Sequence, residues 1–373
     1  MRILYDGNIY SLQAAGGITR YFASLIAKLP ADFDPELVVG PPFDGNYASH
    51  PNLKIHQYGK RRTDQFSYRI SSRISEIEKS WLRGSLARRR FDVFHPTYYT
   101  LLTGQSMRDF RSPVVITVWD MIDEIYAAEV DPTGQNAREK RAAIEAADKI
   151  ICISQNTKKD LLERYAVPES KIAVTYLASE IDAVMSHGSE SVPGRPYYLY
   201  VGSRARYKNF GGLLDAFAKV VSVRPELALC VVGGPLTTTE RDRIAELKLS
   251  DNIEHYGHPS DTHLAKLYRC SLALVYPSFY EGFGLPPLEA MSCGTVAVVA
   301  NVSSLPEVVG TAGILFDPTR SDELTDILLS LPDDSARREE LIVAGAEHSR
   351  EFSWDQTSAE TIEVYRSVGR GSR

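Results

Sequence analysis

Tyr276-Pro-Ser-Phe-Tyr-Glu281-Gly-Phe-Gly-Leu-Pro-Pro-Leu-Glu289-Ala-Met291 decides the reading of this chain. The apolar run just before it, residues 272–276, has the length and character of a buried strand. Pro277, Gly282 and Gly284 then interrupt regular structure. Pro286 and Pro287 suit the first turn of a helix, which Leu288 continues. A strand therefore feeds a glycine loop that feeds a helix N-terminus. Unsatisfied N–H groups and the positive end of the helix dipole make such a junction a receptor for an anion, most often phosphate. Glu281 and Glu289 lie at the same junction. A carboxylate beside a phosphate site accepts hydrogen bonds from hydroxyls, such as those of a ribose or a sugar. Phosphate, ribose and sugar together describe a sugar nucleotide. On this reading Glu281 lies exposed in its loop.

Composition sets the frame. A chain of 373 residues suits two domains of about 150–200 residues. It is 43% hydrophobic and 24% charged, with a formal charge of −6. No apolar run reaches the ~18 residues of a spanning helix. The start, Met1-Arg-Ile-Leu-Tyr-Asp6, reads as a strand and not as a signal peptide. Cys152, Cys230, Cys270 and Cys293 are scattered without metal-ligand spacing and read as reduced thiols. A cytoplasmic protein is expected.

Two strand–loop–helix alternations follow one another, predicting an α/β fold of two Rossmann-like doubly wound domains. The expected division is residues 1–185, residues 186–352, and a C-terminal helix, 353–373, that crosses back to the first domain. In the first domain, Gly16-Gly17 lies between a strand and a helix and reads either as a tight turn or as a phosphate turn. His95, Trp119 and Asp120 end strands, where ligands of parallel sheets gather. Residues 120–135 read as a long loop. In the second domain, Gly202-Ser-Arg204-Ala-Arg206-Tyr-Lys208-Asn209 follows a strand and forms a second anion site with three cations. Gly233-Gly234 and Gly257-His258 are further strand-end turns.

From residue 60 to 90 ten basic side chains face three acidic ones, a local +7 in a chain of −6. Ile70, Ile74, Ile77 and Trp81 recur at helical spacing. This amphipathic stretch, 65–90, is either a solvated basic face or a surface for anionic lipid. Nucleic acid is not expected, because the remainder is acidic and no recognition motif is present.

Residues 281–294, Glu-Gly-Phe-Gly-Leu-Pro-Pro-Leu-Glu-Ala-Met-Ser-Cys-Gly, resemble the signature of retaining glycosyltransferases of family 4, a Glu, seven residues and a Glu. The resemblance is strong in the second domain and in outline in the first. It implies the GT-B fold, two domains facing across a cleft. It implies that Glu281, Arg204, Lys208 and Asp120 carry the chemistry. The donor would be held by Gly16, Gly17, Gly202, Arg206, Gly234, His258, Gly282, Phe283, Gly284, Leu285 and Glu289. The acceptor would meet His95 and Trp119. Many members have His-Asp where this chain has Trp119-Asp120, so Trp119 offers a stacking face in place of a histidine. Neither a metal nor another cofactor is expected, since two cations can neutralise a leaving diphosphate. The run through residues 301–310 looks most like bacterial mannosyltransferases of O-antigen or surface polysaccharide synthesis. That implies GDP-mannose or a related GDP-sugar, with a UDP-sugar as the alternative, and a glycan or lipid-pyrophosphate-linked acceptor. A transfer-inactive partner subunit and an epimerase acting on a UDP-sugar are the remaining alternatives.

Overall fold

The computed structural model describes residues 1–13, 16–40, 48–57, 80, 84 and 89–369. The chain divides into two compact units. The first comprises Met1–Ile153, Thr157–Tyr176 and the segment from Trp354 onward, and the second comprises Ser154–Asn156 and Leu177–Ser353.

In the first unit, β1 (Arg2–Asp6), β2 (Asp34–Val39), β3 (Lys54–Gln57) and β4 (Val93–Phe94) form a parallel sheet in the order β3-β2-β1-β4. A second parallel sheet takes β5 (Val115–Val118), β6 (Lys149–Cys152) and β7 (Ile172–Val174) in sequence order. A parallel bridge from Phe94 to Val114 joins the two. Central strands such as Lys149–Cys152, whose Ile150-Ile-Cys152 is fully buried, are covered on both faces, which is why they read as apolar runs without alternation.

The terminal helix, Trp354–Gly369, packs in this unit. Tyr365 is fully buried there, with its hydroxyl 2.7 Å from His95 Nδ1 and 3.2 Å from Tyr5 Oη. Thr357 donates to the Tyr176 carbonyl at 2.7 Å. Residues 120–135 are not one long loop: they carry two short helices, Ile122–Ile125 and Ala127–Val130.

In the second unit, β8 (Tyr197–Val201), β9 (Ala228–Val232), β10 (Ile253–Tyr256), β11 (Ala273–Tyr276), β12 (Ala297–Ala300) and β13 (Ile314–Phe316) form one parallel sheet in the order β10-β9-β8-β11-β12-β13. The winding direction reverses between β8 and β11. The carboxyl ends of those two strands therefore flank the crevice in which doubly wound sheets bind ligands.

Most of the basic stretch 65–90 lies outside the described residues. Arg89, at its end, is not free: both its terminal nitrogens reach the carboxylate of fully buried Glu36, which also meets Arg2 and His56. Burial opposes that charge, but the His56 and Arg2 hydrogen bonds and Arg89 outweigh it and hold Glu36 below the usual carboxylate range. Among the described residues no helix is long and apolar enough to cross a membrane.

Candidate functional site

The loop after β11 turns into the helix Leu285–Ser292, with prolines in its first turn. Pro286 and Pro287 carry no N–H, so the donors at this helix start are those of Gly284 and Leu285. Gly284 has φ +120°, and a Cβ there would meet Leu305 Cδ2 at 2.8 Å. Only glycine makes this turn without strain.

Glu281 is not exposed. It retains 6% of its accessible surface and pairs with Lys208, whose Nζ stands 2.7 and 2.8 Å from the two carboxylate oxygens. A short helical turn, Arg206–Lys208, carries the lysine out from the end of β8. Asn209 follows with φ +55°, a left-handed conformation that Asn tolerates better than most residues. Tyr207 and Tyr276 flank the ammonium, their ring centroids 5.1 and 5.8 Å from Nζ. Burial, and then the Glu281 charge, push the Tyr276 hydroxyl well above its ordinary range, so this phenol stays protonated beside the carboxylate.

Arg204 reaches across to the next turn. Its Nε donates to Glu240 at 2.8 Å, and Nη2 donates to the carbonyls of Gly234 and Pro235, each at 2.8 Å. Its remaining nitrogen, Nη1, is buried without a hydrogen-bond partner among the described residues. A buried unmet donor on a cation is costly until an anion reaches it. Gly233 has φ +144°, and a Cβ there would collide with the Gly202 carbonyl oxygen, so the turns after β8 and β9 touch backbone to backbone. His255, absent from the sequence reading, caps the second turn through Nε2, 3.1 and 2.9 Å from the Gly233 and Gly234 carbonyls. Arg206 and His258 are exposed.

Glu289, one turn into its helix, accepts from the Tyr268 hydroxyl at 2.7 Å. Burial and the Glu289 charge raise the pKa of that phenol. Tyr268 is thus a second residue that sequence spacing gave no reason to name.

The residues expected in the first unit divide. Gly16 precedes the helix Gly17–Ala27 in extended conformation and accepts from Thr19 Oγ1 at 2.8 Å, with Gly17 exposed beside it. His95 is not a ligand contact. It has no exposed surface, and both ring nitrogens are engaged, Nδ1 with Tyr365 and Nε2 with Thr117 at 3.0 Å. Burial lowers its pKa to about 3, so the ring stays neutral. Trp119 offers no stacking face either: it is 7% exposed, with Tyr21 and Phe22 edge-on at 5.0 and 6.1 Å.

Asp120 remains partly open, and burial raises its pKa against the pull of Lys140. Lys140 itself is fully buried, with Nζ 3.7, 3.0 and 2.9 Å from carboxylate oxygens of Asp120, Asp123 and Glu124. The polar run Arg138-Glu139-Lys140-Arg141 gives no sequence signal that one of its members turns inward.

Two doubly wound units, with the terminal helix returning to the first, are the architecture of the GT-B glycosyltransferases. The family model for glycosyl transferases group 1 matches residues 185–348, and that for Glycosyltransferase Family 4 matches residues 15–180. Together they tile most of the chain, which belongs to the family 4 glycosyltransferases. The chain is 34% identical over 237 residues to the O-antigen chain mannosyltransferase B of Escherichia coli, a match covering 60% of this chain and 62% of that one. It is 27% identical over 249 residues to a serotype-specific mannosyltransferase WbdA of Escherichia coli, covering 63% of this chain and 30% of the relative. The matched region thus spans less than two thirds of either relative's length. Among solved structures, a sucrose-phosphate synthase from Thermosynechococcus elongatus superposes with a TM-score of 0.78 at 21% identity, covering 100% of this chain and 99% of that one. At that identity the likeness concerns the fold.

Proposed function

We propose that this chain transfers a glycosyl group, with retention of configuration, from a nucleotide-sugar donor to a glycan or lipid-linked glycan acceptor in surface polysaccharide synthesis. The observation that carries this reading is the pairing of Lys208 with Glu281 at the carboxyl ends of β8 and β11, where the winding of the second sheet reverses. A donor entering there exchanges one pairing for two. Its diphosphate takes Lys208 and the unpartnered Nη1 of Arg204, and its sugar hydroxyls take Glu281. Glu289, held by Tyr268, takes the ribose.

The bond from the anomeric carbon to the diphosphate breaks as the acceptor oxygen bonds to the same face of that carbon. The acceptor proton passes to the departing phosphate oxygen. Lys208, Arg204 and the N–H groups of Gly284 and Leu285 stabilise the charge that grows on the diphosphate, which needs no metal in this scheme. Glu281 hydrogen-bonds the sugar and forms no covalent intermediate.

GDP-mannose is the proposed donor, supported by the mannosyltransferase relatives. Contact with an anionic membrane surface through the basic stretch, on the cytoplasmic side, belongs to the same proposal. It is supported by the charge pattern and by cysteines that are all free.

A thermal-shift and donor-hydrolysis panel of GDP-, UDP-, dTDP- and ADP-sugars tests the reading. A donor at a hundred times its Kd adds about 2.7 kcal/mol. GDP-mannose is expected to stabilise the protein and release GDP slowly. Stabilisation by a UDP-sugar alone replaces the donor assignment, and silence to every donor overturns the activity.

A further inference from the structure

Three serine hydroxyls, from two separate segments of the second unit, close on three successive peptides of the loop that carries Glu281. Ser303 Oγ accepts from the Glu281 N–H at 2.9 Å. Ser304 Oγ lies 2.9 and 2.6 Å from the carbonyl oxygens of Glu281 and Phe283, sharing its single proton between them. Ser154 donates to the Gly282 carbonyl at 2.7 Å. Ser154 and Ser304 are fully buried, and the loop from Glu281 to Gly284 is buried with them. A loop so enclosed cannot use bulk water for its carbonyls, and here hydroxyls fixed in the core serve instead.

Ser303 carries a second sign of constraint. Its φ is +50°, in the left-handed region that serine rarely adopts. Glycine would relieve the backbone but would remove the acceptor for the Glu281 N–H. Strain that persists where a simpler residue removes it marks a position whose side chain is needed.

We propose that Ser303, Ser304 and Ser154 are positioning residues. They lock the peptides of residues 281–283 so that the Glu281 carboxylate meets Lys208 when the site is empty and the hydroxyls of the donor sugar when it is filled. The proposal rests on the glycosyl-transfer reading.

Ser303→Gly is the decisive variant, because glycine fits φ +50° and the protein should fold at least as readily. Two readouts are taken. Hydrogen exchange at the Glu281 amide is expected to speed about tenfold or more in Ser303→Gly and Ser304→Ala, with amides of β11 unchanged. Turnover of GDP-mannose is expected to fall on the order of 10–100-fold in kcat, while GDP alone binds within about twofold of wild type. Ser303→Asn, which tolerates the left-handed backbone and restores an acceptor, should recover part of the loss. Unchanged exchange at Glu281 overturns the clamp, whatever reaction the protein catalyses. Faster exchange with unchanged turnover overturns the positioning role. A wild type that turns over no donor overturns the transfer reading, and the exchange result still decides the clamp.

Discussion

Lys208 and Glu281 lie 73 positions apart in the sequence and meet through both carboxylate oxygens, at 2.7 and 2.8 Å. Their side chains are 13% and 8% exposed, so each neutralises a charge that would otherwise be stranded in a poorly solvated place. The pair therefore holds a lysine from the end of one strand against a glutamate from the loop after another.

Replacing one partner alone should cost both stability and activity. Glu281→Ala strands the ammonium, with an expected loss of ~3 kcal/mol by chemical denaturation and on the order of a hundredfold or more in kcat/KM. The double variant Lys208→Met/Glu281→Gln should recover most of the stability and none of the activity. Additive losses would show that the pair is not coupled.

Tyr268→Phe removes the hydroxyl that orients Glu289. We expect about 1 kcal/mol of destabilisation and a rise in donor KM of roughly three- to tenfold, with kcat little changed. A fall in kcat at constant KM would place Glu289 at the reacting centre instead of at the ribose.

His95 gives a pH signature. An unfolded histidine takes its proton near pH 6.5, whereas burial lowers the folded value to about 3. Between those values the unfolded chain binds more protons, so stability is full above about pH 6.5 and falls as pH falls, by up to ~1.4 kcal/mol per unit. His95→Gln should flatten the difference between denaturation curves at pH 7 and pH 5, while activity per folded molecule holds. Equal slopes in the two proteins would remove His95 as the source.

Lys140→Met leaves Asp120, Asp123 and Glu124 facing one another around an apolar side chain. The expected loss is about 3–5 kcal/mol at pH 7. Burial already raises the pKa of Asp120 and only Lys140 pulls it back, so without the lysine the folded variant binds more protons there than the unfolded one, and part of the loss returns as pH is lowered toward 5. A variant as stable as wild type at pH 7 would mean that the cluster tolerates its own charge.

The second unit was largely legible in the sequence because its signals are local. Gly284, Pro286 and Pro287 announce a strand-to-helix turn by their own backbone restrictions, and the two glutamates stand at fixed spacing beside it. The partners were not legible, because pairing is a tertiary event. Nothing in Lys208-Asn209 says that the lysine bends toward residue 281, and nothing in Ser303-Ser304 says that both hydroxyls face back toward that loop. In the first unit the strand-end rule located His95 and Trp119 correctly along the chain. It failed on exposure, because the residues that cover them come from elsewhere in the chain: Tyr365 meets His95, and Tyr21 and Phe22 meet Trp119. Arg138-Glu139-Lys140-Arg141 is silent for a related reason: a lysine enters the core when three carboxylates from a neighbouring segment meet it.

The placement of Trp354–Gly369 in the first unit also fixes an order of events at the ribosome. Every residue of the second unit is made before Tyr365, and the core around His95 and Tyr5 is incomplete until that tyrosine arrives. A chain that grows from its N-terminus must therefore finish its second unit first and carry the first one open until Tyr365 has been made. The half that starts earliest is the half that waits longest, with apolar strands such as Val93–Phe94 and Lys149–Cys152 in want of the helix that packs on them.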